Sequence, residues 1–264
     1  MRIIDTLANV DLKDLANVAV YWNSDLVDAL YFGPKKVMPG TRDTALADPS
    51  FLQRLQEVAS FAGPSSLAAH CEQLLSGFGQ NTGFSAGDQT LYLVLGCATT
   101  TIYTVALEGE EVSVLCVESL RGSDQTLAMY LAHEYTHFVR KELLNKDIFE
   151  SCVGERLVTE GIAESFSKDV VPNATDADCC IVDASTVRWV DEHWDDLNAY
   201  VRAGLESTEL MEPLFYMFAK IDFPVRTGYV YGYFAVRDYL KRHHLQTKDI
   251  IGIDWQSVLA SDSL

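Results

Sequence analysis

Through the first eighty or so residues apolar positions recur at helical spacing, in LKDLANVAVYWNSDLVDALYF, PSFLQRLQEVASFA and SSLAAHCEQLLSGF, with breaks at FGPKKVMPG and AGPSS. From about residue 90 the pattern changes to short runs rich in β-branched residues, LYLVLG, TIYTVAL and EVSVLCVE, the last two flanking the turn sequence EGE. After SLRGSD the helical period returns in QTLAMYLAHEYTHFVRKELLNK, ERLVTEGIAESFSKDV, STVRWVDEHWDDLNAYVRAG, ELMEPLFYMFAK and GYVYGYFAVRDYLKRHH. The pattern predicts an α+β fold, a small antiparallel sheet between helical sections. No repeat, low-complexity tract or linker interrupts it, so residues 1–264 are expected to form a single domain, with a helical section at 1–88 and sheet plus helices at 89–264.

Composition narrows the partners. The chain has 264 residues, 48% of them hydrophobic, enough to bury a core. Its net charge of −18 repels phosphate backbones and anionic lipid, which disfavours nucleic acid and membrane partners. The start, MRIIDTLANVDLKDL, has no apolar signal core, and the most apolar run, LYLVLGCATTTIYTVAL, is broken by Gly96 and four threonines. A cytoplasmic location is expected. The six cysteines, at 71, 97, 116, 152, 179 and 180, show no CxxC spacing and read as reduced thiols.

The sharpest chemical signal is HEYTH. On a helix His133 and His137 lie about 40° apart, one turn above the other, as two imidazoles sharing a metal must. Glu134, about 60° from His137, is near enough to take a proton from a water that a metal activates. The helix carries Leu127, Leu131, Tyr135 and Phe138 on its other side, with Ser123 or Asp124 as N-cap. Solvated surface histidines would fit the same pattern. The metzincin arrangement is excluded, because it needs Gly and His where the chain has Arg140 and Leu143.

A catalytic zinc needs a third protein ligand. Glu160, in VTEGIAESF, follows His137 by 23 residues, room for a loop and a returning helix. Glu164 lies one turn further on the same face, where it could accept a hydrogen bond from a ligating imidazole. Gly161, costing about 1 kcal/mol relative to Ala inside a helix, points to a close helix approach. A helix with solvated glutamates is the alternative.

HEYTH followed by EGIAE resembles the gluzincin metallopeptidases. LAHEYTHFVRKEL, LVTEGIAESF and GYVYGYFAVRDYL together look like a bacterial family of predicted zinc-dependent proteases designated a domain of unknown function, over about residues 90 to 245. The resemblance implies a zincin-like fold with the sheet packed on the active-site helix, and one zinc per chain. His133, His137 and Glu160 would be its ligands, Glu134 the base and acid, and Glu164 an orienting residue. It also implies that EVSVLCVES bounds the cleft and pairs with an extended substrate. An oxyanion donor is needed as well, and Tyr229 is the chosen candidate, with Tyr231 and Tyr233 nearby and core packing the alternative for any of the three. His193 reads as a surface residue, His243 and His244 as charges complementing a helix end. The expected activity is hydrolysis of a peptide or protein substrate. A non-catalytic zinc- or peptide-binding module and a zinc hydrolase of another amide or ester remain alternatives.

Overall fold

A two-residue turn, Glu108-Gly109, joins two paired strands, both of its residues at positive φ (53° and 87°). That is the backbone of a tight hairpin, and it forms where EGE predicts it. The computed structural model describes residues 1–35, 37, 40–61, 64–97, 101–146, 148, 152–216 and 223–259, with backbone alone at 61 and 64–66. The breaks read at FGPKKVMPG and AGPSS lie partly outside these residues. The described chain falls into two compact units, Met1–Gly79 with Ser85–Leu131, and Gln80–Phe84 with Ala132–Leu264.

The first unit contains β1 (Arg2–Asp5), α1 (Leu15–Trp22), α2 (Asp25–Val27), α3 (Thr41–Ala47), α4 (Pro49–Phe61) and most of α5 (Pro64–Thr82). The strands β2 (Thr90–Val94), β3 (Ile102–Leu107) and β4 (Glu110–Cys116) complete its sheet. The strand order is β1-β2-β4-β3. β1 and β2 pair in parallel, as do β2 and β4, and only β3 and β4 are antiparallel. The α+β class stands, but the sheet is mixed rather than antiparallel, and the first section is not purely helical. Trp22 Nε1 donates to the Leu95 carbonyl at 2.8 Å, and the Cys97 amide donates to the Tyr31 hydroxyl at 2.9 Å, fixing the early helices to the end of β2. One expectation is not met from Ser113 to Leu115: there β4 has partners on both edges, so it cannot take an extended substrate as a further strand.

α6 (Asp124–Leu144) follows, with the Ser123 hydroxyl accepting the Thr126 amide at its start. The second unit continues with α7 (Val153–Val170), α8 (Asp176–Cys179), α9 (Ala184–Glu192), α10 (Trp194–Arg202), α11 (Met211–Phe215), α12 (Thr227–His243) and α13 (Trp255–Leu259). The helical run at 185–204 breaks at His193, which is exposed and stacks on Trp189. The run at 209–220 yields α11, its last residues lying outside the described chain. α7 and α12 cross in backbone contact: a Cβ on Gly161 would stand 2.2 Å from the Gly232 carbonyl oxygen, and one on Gly232 2.2 Å from that of Leu157. The close approach read from Gly161 is therefore real, and it needs glycine on both helices. Among the described residues no helix is long and apolar enough to cross a membrane.

Candidate metal centre

Every residue of α6 from Leu127 to Arg140 is buried, so the helix is enclosed rather than open to solvent along its polar side. His133, Glu134 and His137 are thus buried polar groups, and such groups need partners. The third member, Glu160, comes from α7. His133 Nε2 and His137 Nε2 are 2.9 Å apart, and Glu160 Oε2 lies 3.3 Å and 3.4 Å from them. Among the described residues these three form the group of His, Cys, Asp or Glu side chains able to hold a metal ion, with donor atoms within 4.8 Å of one another.

The donor set fits a zinc ion. In a tetrahedral centre with bonds of about 2.0–2.2 Å, neighbouring ligand atoms stand about 3.3–3.6 Å apart. The two His–Glu separations match, and the histidine pair is slightly tighter. Glu160 Oε2 is buried without a hydrogen bond, although it faces two imidazole nitrogens. Lone pairs of two imidazoles and a carboxylate converging on one point repel unless a cation or protons lie between them.

Electrostatics favour a carboxylate beside a neutral imidazole. Burial holds the His137 imidazole below its ordinary range, with Glu160 acting in the opposite sense, so the neutral ring is favoured. Burial alone would raise the Glu160 carboxyl, but Arg156 and the two histidines outweigh it and hold it well below the usual range. Arg156 Nη2 lies 2.7 Å from Glu160 Oε1, so one carboxyl oxygen is committed to the arginine and the other to the histidines.

The three tyrosines of α12 separate cleanly. Tyr231 donates to Asn198 Oδ1 at 2.7 Å and Tyr233 to Asp176 Oδ1 at 2.9 Å, and both are buried. The Tyr229 hydroxyl instead faces the Arg156 guanidinium, and burial and the charge of Glu160 raise its pKa. The Arg226 guanidinium lies 3.9 Å from the centre of its ring.

Glu164 departs from expectation. His133 Nδ1 has no hydrogen-bond partner, so the orienting bond from Glu164 to this imidazole is not formed. One turn beyond Glu160, Glu164 faces Arg226 and Cys180, and burial together with the Glu160 charge raises its carboxyl well above the usual range. Sequence reasoning missed Arg156, Arg226 and Cys180. Only Arg156 carried a local signal, its i to i+4 spacing to Glu160.

Two histidines one turn apart on a buried helix, with a carboxylate from the next, form a donor set that could hold a metal ion. The chain belongs to the family described as predicted Zn-dependent protease (DUF2268), whose model matches residues 102–260 and so spans α6, α7 and α12. No curated protein and no solved structure matches the chain.

Proposed function

We propose that this chain is a zinc-dependent peptidase in which His133, His137 and Glu160 hold one zinc ion. The observation that carries this reading is the convergence of three buried donor atoms within 4.8 Å, in a member of a family described as predicted Zn-dependent protease. Glu134 adds weight, because a carboxylate next to a ligand is what a catalytic centre needs and a structural one does not. Zinc, when bound, supplies Lewis acidity that acidifies the attacking water and polarises the scissile carbonyl. Glu134 takes the proton as water attacks the carbonyl carbon, then gives it to the amide nitrogen as the C–N bond breaks. Tyr229 donates its phenolic proton in a hydrogen bond to the carbonyl oxygen as charge gathers there. Tyr231 and Tyr233 are spent on Asn198 and Asp176 and leave this task to Tyr229.

The test is Glu134→Gln, assayed for metal content and for hydrolysis of a broad peptide library. About one zinc per chain should be retained while turnover falls about 100-fold or more. A folded wild-type protein that takes up no zinc, or a variant as active as the parent, would sink the reading.

A further inference from the structure

Arg156 sits on α7 one turn before Glu160 and touches both halves of the proposed machinery. Its Nη2 lies 2.7 Å from Glu160 Oε1, and its guanidinium also faces the Tyr229 hydroxyl. The glycine crossing explains how one side chain reaches both: with Gly232 seated between Leu157 and Gly161, the turn of α12 that carries Tyr229 lies beside the turn of α7 that carries Arg156. Phe215 packs against both, 5.4 Å from the Tyr229 ring and 5.7 Å from the guanidinium.

We infer that Arg156 is a positioning residue that couples the third metal ligand to the oxyanion donor. An arginine has donors and no acceptor, so in its contact with Tyr229 the phenol oxygen must accept. That leaves the phenolic proton for a different acceptor. On Glu160 the same arginine occupies Oε1, which presents Oε2 to the histidines and favours one-oxygen ligation. Arg156 thereby fixes which atom of each partner faces the reacting centre. The Glu160 half stands on the geometry alone, and the Tyr229 half rests on the peptidase reading. A plain counter-charge for a buried glutamate would do the first without the second.

The two are separated by Arg156→Gln, Arg156→Lys and Tyr229→Phe, each checked for native fold, with two readouts that need no turnover. The first is zinc affinity measured against a competing chelator. Arg156→Gln should weaken it about 10- to 100-fold, Arg156→Lys should recover part of the loss, and Tyr229→Phe should leave it unchanged. The second is the affinity of the zinc-saturated protein for a phosphinic peptide, whose anionic oxygens mimic the charge developed during hydrolysis. Arg156→Gln and Tyr229→Phe should each weaken it, and the double variant should be little worse than the poorer single one. Unchanged zinc affinity in Arg156→Gln, or fully additive losses of phosphinate affinity, would overturn the inference. A wild-type protein that binds zinc but neither hydrolyses peptides nor binds the phosphinate would sink the peptidase reading instead, with the zinc arm still deciding whether Arg156 positions Glu160.

Discussion

α6 and α7 carry two buried polar clusters less than two turns apart on α6, and the two are built to opposite plans. In the first, Arg140 donates through Nε to Glu155 Oε1 and Thr159 Oγ1, through Nη1 to the carbonyls of Ile251 and Ile253, and through Nη2 to Glu155 again. Lys146 takes the other Glu155 oxygen at 2.8 Å. Burial would raise the Glu155 carboxyl, and Arg140 and Lys146 outweigh it, so donors and acceptors close on one another. In the second, two imidazole nitrogens and a carboxylate oxygen from His133, His137 and Glu160 converge on one point. The first cluster is a fastener, and the second is a convergent group that could hold a cation. Arg140, which excluded the metzincin class at the level of sequence, is the centre of the fastener.

The contrast predicts unequal effects of substitution. Arg140→Met leaves Glu155 and two carbonyls short of a donor and should cost about 3–5 kcal/mol in urea denaturation of the metal-free protein. His133→Asn should stay within about 1 kcal/mol of the parent in the same experiment, yet lose the stabilisation that added zinc brings. Similar losses in both would erase the distinction between the clusters.

Gly161→Ala comes next. Its Cβ would meet the Gly232 carbonyl at 2.2 Å, and neither helix backbone can yield without moving the other. A loss of about 1–3 kcal/mol is expected, with turnover falling further than stability alone explains as Tyr229 shifts from Arg156. A variant as stable as the parent would remove the backbone crossing from the account.

A pH-dependent effect concerns Glu164, whose folded carboxyl is raised above its ordinary value of 4.5. Stability from its protonated form is fully present below about pH 4.5 and is lost as pH rises through the folded value. Glu164→Gln keeps a neutral group at every pH. Measured on the metal-free protein, its stability relative to the parent should rise above pH 4.5, by up to about 1.4 kcal/mol per pH unit until the folded carboxyl ionises. A difference independent of pH would mean that Glu164 is not protonated in the fold.

The sequence was informative where the signal was local. The β3–β4 hairpin follows from a two-residue turn, and α6, α7 and α12 from long periodic runs with their polar residues already in register. β1 escaped because it is four residues long and pairs with β2 some 88 positions away, beyond any local pattern. The central place of β4 was hidden for the same reason, since flanking by β2 and β3 is a property of topology. At the site, the convergence of His133, His137 and Glu160 was readable because each of the two helices displays its part at helical spacing. The contacts of Glu164 with Arg226 and Cys180 join three separate segments, and no spacing announces them. Arg156 was the exception, readable four residues before Glu160.

The central claim is that His133, His137 and Glu160 together bind zinc. Anomalous scattering at the zinc edge, from crystals of the wild-type protein grown with zinc, tests it most directly. The account predicts a single strong peak within bonding distance of His133 Nε2, His137 Nε2 and Glu160 Oε2. A peak bound through Glu164, or no peak between the two histidines, would contradict it.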